Sequence, residues 1–275
     1  MRTAKGEGRT VLVTGASSGI GRACADLLAR SGFAVYGTSR SAPVDPPAGW
    51  TWQEMDVRDG AAVGDGVARI VAAAGRLDAV INNAGFGIAG AVEDTTVDET
   101  LDLFQTNFFG ALRVCRAVLP HFRARGAGTI VNVSSIGGRI GLPFQGLYSA
   151  SKFALEGMTE ALRMEVKPLG IRVVLIEPGD TRTGFTARRR RTAASVTNDA
   201  YRERFARALD RIEQDEVGGG DPTAVARLVL RVLRHPNPRL RYTVGDPTQR
   251  LAVVARGILP GRLFEWGIMR YYRVR

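Results

Sequence analysis

The chain has 275 residues, 45% of them hydrophobic, and a net charge of +11 at pH 7, enough length and apolar content for one sizeable α/β domain. Its two cysteines, Cys24 and Cys115, and two histidines, His121 and His235, form no metal-ligand spacing, so neither a metal centre nor a disulfide framework is expected. No uncharged apolar run approaches the roughly 20 residues of a membrane span, no secretory pattern opens the chain, and the basic residues are spread along it. A cytoplasmic protein without a nucleic-acid partner is therefore expected.

In chain order, strand and helix patterns alternate. Residues 10–14 form a short apolar strand running into glycine, and 20–31 a helix that Gly32 stops. Strands follow at 34–38 and 51–55, a helix at 61–74 and a strand at 79–83. Residues 99–125 read as one long helix with Pro120 near its end. Residues 129–133 form a valine-rich strand of the kind buried on both faces, 147–169 a second long helix and 172–177 a strand. A helix over 225–234 and a short strand over 241–244 complete the pattern. Strands separated by single helices predict one parallel sheet with right-handed crossovers. With no repeat and no Pro/Ser-rich linker, residues 1–275 are expected to be a single domain. Residues 182–220 are polar, charged and end in GGGD. They read as a substrate-loop insertion with one helix over 200–215, the arginine run at 187–192 being an exposed mobile loop. Residues 246–275 alternate apolar and basic side chains around Trp266, Tyr271 and Tyr272. They read as a C-terminal lid on the substrate edge, with membrane-surface contact the lesser alternative.

Candidate chemistry collects at the carboxyl ends of the strands, where open parallel sheets bind ligands. TVLVTGASSGIGRA is strand, glycine turn and helix. Gly15, Gly19 and Gly21 permit a tight turn and close approach of backbone to a pyrophosphate. The helix start, with Ser17, Ser18 and Ile20, aims unpaired N–H groups at phosphates. About 20 residues on, where an acid would hold the adenosine ribose 2′-OH, the chain reads VYGTSRSA. No acid occurs between Asp26 and Asp45, and Arg40 stands there instead. A guanidinium forks onto a phosphate that a carboxylate would repel, so NADP(H) is expected over NAD(H). The alternative is Arg40 as a surface residue with loose selectivity. Asp56 and Val57 follow the third strand; Asn83, Ala84 and Gly85 the fourth; Ser135 the fifth; and Pro178, Gly179, Thr181 and Thr183 the sixth. Tyr148 and Lys152, four apart on a helix, point the same way. A phenol of pKa about 10 is a poor proton partner near neutrality. A neighbouring ammonium would lower that value and let Tyr148 give or take a proton, with the Ser135 hydroxyl holding a substrate oxygen beside it.

Together, TGASSGIG (14–21), NNAG (82–85), Asn107, Ser135, YSASK (148–152) and PGDTRT (178–183) resemble the short-chain dehydrogenase/reductase family over roughly residues 9–185. The resemblance implies a single Rossmann-type doubly wound domain: seven parallel strands in the order 3-2-1-4-5-6-7 with helices on both faces. It implies an NADP(H)-dependent oxidoreductase that passes a hydride between nicotinamide and a ketone or secondary alcohol. Tyr148 would be the general acid or base. Lys152 would lower its pKa and hold the nicotinamide ribose, Ser135 would orient the carbonyl, and Asn107 would hold a water relaying protons from Lys152. Asp56 and Val57 would contact adenine, and Asn83, with Ala84 and Gly85, the adenosine-side ribose. Thr181 and Thr183, with Pro178 and Gly179, would contact the carboxamide and phosphates. The loop and tail resemble members acting on lipophilic substrates, such as 17β-hydroxysteroid or retinol dehydrogenases. Phe86, Leu142, Phe144 and Phe185 either line an apolar pocket or belong to the core. A small-molecule carbonyl or alcohol substrate and a homodimer or homotetramer, paired through the two long helices, are also implied. Rival readings are an NAD(H)-dependent alcohol dehydrogenase, a dinucleotide-binding regulator without turnover, which should lack Tyr148, Lys152 or Ser135, and acyl transfer from the literal S-x-x-K at 149–152, whose companion motifs are absent.

Overall fold

The computed structural model describes residues 8–45 and 49–275. In chain order its principal elements are β1 (Thr10–Thr14), α1 (Gly19–Arg30), β2 (Ala34–Ser39), β3 (Thr51–Glu54), α2 (Gly60–Ala74), β4 (Ala79–Asn82), α3 (Val97–Asn107), α4 (Phe109–Arg125), β5 (Gly128–Val133), α5 (Gly146–Val166), β6 (Ile171–Pro178), α6 (Arg202–Val217), α7 (Pro222–Arg234), β7 (Arg241–Val244), α8 (Pro247–Ile258) and α9 (Gly261–Tyr271). So numbered, the seven strands pair in parallel in the expected order 3-2-1-4-5-6-7.

Alternation within the strands decides the layers, because successive side chains point to opposite faces. Val11, Val13, Ile81 and Val174 pack one way, against Cys24 and Leu28 of α1 and Val225, Val229 and Leu233 of α7. Leu12, Val80, Ile130 and Val173 pack the other way, against Val63, Val67 and Ile70 of α2 and Val114, Val118 and Phe122 of α4. Cys24 and Cys115 are buried and unpaired, and burial pushes both thiols up to about 12.

Three details differ from the sequence reading. The single helix over 99–125 is two. The chain turns at Phe108 (φ −115, ψ −62), and the Arg113 guanidinium donates to the Gln105 carbonyl at the break, 3.3 Å away. The first of the two helices begins in a capping box, Thr96 with Glu99. The arginine run is not a free loop: Arg190–Arg191 forms a parallel two-stranded ladder with Ile88–Ala89. Arg190 also stacks on Phe86, its guanidinium carbon 4.5 Å from the ring centre. The helix expected over 200–215 spans Arg202–Val217. In the tail, Tyr272 and Val274 pack on Ala208 and Ile212 of α6. Among the described residues no helix is long and apolar enough to cross a membrane.

Asp78, buried at the start of β4, fastens three elements at the amino edge of the sheet. Its Oδ2 accepts from the Thr10 N–H of β1 (2.8 Å) and from Arg76 Nε (2.9 Å), and its Oδ1 from Arg125 Nη2 at the end of α4 (3.2 Å). Burial alone would raise this carboxyl; the hydrogen bonds from Arg76, Thr10 and Arg125 outweigh it and hold the group below the usual range. Because the folded value lies below the unfolded one, the stabilisation is present above about pH 4 and is lost as pH falls through the folded value. Replacing Asp78 with Ala is expected to remove about 2–4 kcal/mol of unfolding free energy at neutral pH, read from the urea midpoint. The difference from wild type should shrink as the pH of the titration is lowered.

Candidate active site

A cleft of about 600 Å³ opens at the carboxyl edge of the sheet, within the range of small-molecule sites. Its floor starts where β1 ends. Gly15 has left-handed backbone (φ +67), and a Cβ there would lie 2.9 Å from the Ala84 Cα. Ser18 caps the start of α1 in extended conformation, but its hydroxyl makes no cap hydrogen bond. The first-turn N–H groups therefore face the cleft without a side-chain partner, as at helix ends that take anions. Ser17, Gly19 and Ile20 line this same turn. Gly21 does not reach the wall: a Cβ on it would fall 2.2 Å from the Gly15 carbonyl oxygen, so its part is close packing of helix on turn.

Arg40, Asp56 and Val57 line the cleft at the ends of β2 and β3. Arg58, which sequence reasoning passed over, lines it too and holds Asp56 through both carboxylate oxygens (Nε–Oδ1 3.2 Å, Nη2–Oδ2 2.9 Å). Asn83, Ala84 and Gly85 form the wall beyond β4. The Asn83 amide is taken up internally, donating to the Thr14 and Gly15 carbonyls (3.0 and 3.2 Å). Pro178, Gly179, Thr181 and Thr183 line the side beyond β6. A second unforeseen residue is Arg188, whose Nη1 donates to the Ser18 hydroxyl (2.7 Å) from 170 positions away. The arginine run was its only signal in the sequence, and nothing there said where the run lies.

Ser135, Tyr148 and Lys152 meet in the middle of the cleft. A Cβ on Gly137 would be 3.4 Å from Ser135 Oγ and 3.3 Å from Tyr148 Cε1, so both side chains border one small space. The Tyr148 ring is buried against Phe185, centres 5.9 Å apart. The expected depression of its phenol is absent: burial pushes it up to about 12, with the Ser135 hydroxyl pulling back and Glu216 adding to the rise. Lys152 sits with Nζ 6.0 Å from the ring centre and donates to the Val133 carbonyl at the end of β5 (3.0 Å). Its own burial brings it down to about 8, with Glu156 opposing. An ammonium so placed serves the strand end and leaves the phenol protonated. Asn107 is buried behind the cleft and does not line it. It accepts from the Phe86 N–H (3.0 Å) and donates to the Phe86 carbonyl (3.0 Å) and the Ser151 hydroxyl (3.1 Å).

At the far end Phe86, Leu142 and Phe185 line the cleft with Ile212 and Tyr272. Phe144 packs instead on Phe205 and Tyr201, ring centres 5.5 and 6.3 Å away. Three carboxylates lie at this end: Asp180, Asp215 and Glu216. Glu216 pairs with the buried Arg189, and Asp215 with Arg211 (2.8 Å).

The model of the family described as short chain dehydrogenase matches residues 9–194. A 3-ketodihydrosphingosine reductase from Bacteroides thetaiotaomicron is 41% identical over 265 residues, covering 96% of this chain and 98% of the relative. Human 17-beta-hydroxysteroid dehydrogenase type 1 is 34% identical over 84% of this chain and 76% of its own length. A solved short-chain dehydrogenase from Streptomyces avermitilis superposes with a TM-score of 0.81 at 33% identity, over 97% of this chain and 98% of that one. On the matched family model and these near full-length relatives, the chain belongs to the short-chain dehydrogenase/reductase family, whose chemistry is NAD(P)-dependent hydride transfer.

Proposed function

We propose that this chain is an NADP(H)-dependent reductase of lipophilic ketones. The observation that carries the reading is the lining of one cleft by Ser135, Tyr148 and Lys152 between the uncapped start of α1 and an apolar end. The glycine turn fits a dinucleotide: Gly15 and Gly21 let the β1 turn, the residues after β4 and α1 pack closely, and the free N–H groups of α1 suit a pyrophosphate. Gly15, Ser17, Ser18, Gly19 and Ile20 would hold the phosphates from one side and Arg188 from the other. Arg40, with Arg58 near it, suits the additional phosphate of NADP. Asp56, tied to Arg58, and Val57 would border the adenine, and Asn83, Ala84 and Gly85 the adenosine ribose. Pro178, Gly179, Thr181 and Thr183 would close over the nicotinamide half. When bound, the nicotinamide supplies the hydride.

The protein's own part is proton and position. Ser135 donates to the substrate carbonyl oxygen and fixes it beside Tyr148. A phenol kept protonated is the acid that a ketone reduction needs, and Tyr148 passes its proton to that oxygen. Lys152 holds positive charge beneath the phenol and braces the end of β5. Asn107 acts as a positioning residue, tying the loop after β4 to α5 through Phe86 and Ser151. The apolar end, formed by Phe86, Leu142, Phe185 and Ile212, suits a hydrocarbon chain, and residues 182–220 and 246–275 serve as its cover. The likeness to the Bacteroides relative, a 3-ketodihydrosphingosine reductase, supports the same substrate class. Exposed Phe153 and Met164 on α5 support assembly into a homodimer or homotetramer through that helix.

With purified enzyme and a long-chain 3-ketone, Tyr148→Phe is expected to bind NADPH within about threefold of wild type by fluorescence titration while losing about 10²–10⁴-fold in kcat. Undiminished turnover would refute the acid role. Arg40→Asp should cut the ratio of kcat/KM for NADPH over NADH by about 10–100-fold; a wild type that already prefers NADH contradicts the phosphate argument. Because Lys152 is charged below about 8 and neutral above it, the rate of ketone reduction should hold below that pH and fall above it. Lys152→Arg, charged throughout, should remove that break from the pH profile.

A further inference from the structure

The three carboxylates at the apolar end of the cleft are not equally matched. Glu216 has the guanidinium of Arg189 and the hydroxyl of Thr186. Asp215 has Arg211 (2.8 Å) and the Tyr271 hydroxyl (2.8 Å). Asp180 has only the neutral amide of Gln249: Nε2 donates to Oδ2, while the Gln249 oxygen accepts from the Asp180 N–H (3.0 Å). Among the described residues nothing donates to Asp180 Oδ1, and the carboxylate borders the cleft. Beside it stands Tyr272, whose ring is nine-tenths buried on Ala208 and Ile212. Its hydroxyl makes no hydrogen bond among the described residues, and the side chain lines the same cleft. Burial, then Glu216 and Asp215, push the Asp180 carboxyl up to about 6, with the Gln249 amide and the Arg189 guanidinium pulling back. Asp180, Glu216 and Tyr148 line the one cleft, so a group held at Asp180 shares it with the carbonyl that Tyr148 would protonate.

We propose that Asp180, backed by Asp215 and with the Tyr272 hydroxyl beside it, receives a protonated amine of the substrate, which makes the substrate an amphiphilic amino ketone with its amine near the carbonyl. The inference rests on the ketone-reductase reading and narrows it. An ammonium offers three donors; the free Asp180 Oδ1 and the Tyr272 oxygen are acceptors with no other partner. The apolar wall of Phe86, Leu142 and Phe185 is left for the hydrocarbon tail.

The test compares three substrates of equal chain length with NADPH and the full chain: 3-ketodihydrosphingosine, whose amine is on the carbon next to the ketone, its N-acetyl derivative, and the 3-ketone lacking the nitrogen. Wild type should favour the free amine over both others by about 10–100-fold in kcat/KM. Asp180→Asn should lower that ratio at least about tenfold whatever the absolute rate, Asp180→Glu should restore part of it, and Tyr272→Phe should lower it several-fold. A purely structural Asp180 would move all three substrates together and leave the ratio unchanged, which overturns the inference. Equal rates for the three in wild type overturn it too, while leaving the ketone-reductase reading intact. NADPH binding with no reduction of any of the three ends both. Should Asp180→Asn not fold, the ratio in Tyr272→Phe and Asp215→Asn decides.

Discussion

Everything at the carboxyl edge of this sheet depends on one close approach, that of the β1 turn to the end of β4. A Cβ on Gly21 would meet the Gly15 carbonyl oxygen at 2.2 Å, and one on Gly15 the Ala84 backbone at 2.9 Å. The contact is held by hydrogen bonds that all run from the residues after β4 to the β1 turn. Thr14 Oγ1 accepts from the Asn83 and Ala84 N–H groups (3.0 and 3.1 Å), and the Asn83 side-chain amide donates to the Thr14 and Gly15 carbonyls. Backbone, the Thr14 hydroxyl and the Asn83 amide fill the junction and leave no room for a Cβ on Gly15 or Gly21, so α1 can begin within reach of the cleft with its N–H groups free. A side chain there would push the turn away from β4 and close the space that the rest of the site borders.

The second support is α5, which brings Tyr148 and Lys152 to the cleft and carries a buried polar ladder further along. Asn82 of β4 donates to Asn132 of β5 (2.8 Å), Asn132 to Thr159 (2.8 Å), and Thr159 to the Leu155 carbonyl (2.6 Å). Such a chain in a low-dielectric interior fixes the register of helix on sheet, because a slip would strand polar groups. About two turns earlier on the same helix, Ser151 donates to the Tyr148 carbonyl (2.7 Å) and accepts from Asn107. The break between α3 and α4 therefore has a consequence at the cleft. It frees Asn107 from a regular helical neighbourhood and lets its amide join the Phe86 backbone to α5.

What the sequence made legible follows from how local each signal is. The strand-turn-helix of residues 10–31, the valine-rich central strands and the i, i+4 pairing of Tyr148 with Lys152 are short-range patterns, and they carried the parallel sheet and the members of the cleft; the sheet order came only with the family resemblance. The helix break at Phe108 had a local signal that was passed over, the run of weak helix formers Thr106-Asn107-Phe108-Phe109-Gly110; what the sequence could not show is that Asn107 spends its amide on the Phe86 backbone. The protonation of Tyr148 was misread for a related reason. Helical spacing says that two side chains share a face; it says nothing of how deeply that face is buried, and here desolvation outweighs proximity. The arginine run looked like solvent-exposed charge. Its partners, Ser18, Glu216, Asp102 and Glu213, lie at sequence separations over which no periodicity speaks.

A net charge of +11 suggests a uniformly basic molecule, yet most carboxylates along the cleft are paired. Arg40 and Arg188 stand at one end beside the Arg58–Asp56 pair; at the other Glu216 meets Arg189, Asp215 meets Arg211 and Arg190 lies over Phe86. Asp180, held by the Gln249 amide, is the carboxylate of that end with no salt bridge among the described residues. The two ends are also built differently. The basic end belongs largely to the strand ends and is present once the sheet forms. The acidic end is assembled from the segment after β6, from α6 and from the tail: Arg189 reaches Glu216, Tyr271 reaches Asp215, and Gln249 of α8 holds Asp180. The contacts that place those segments beside the cleft also decide which of its carboxylates are neutralised, so the acidic end takes its form from segments outside the sheet.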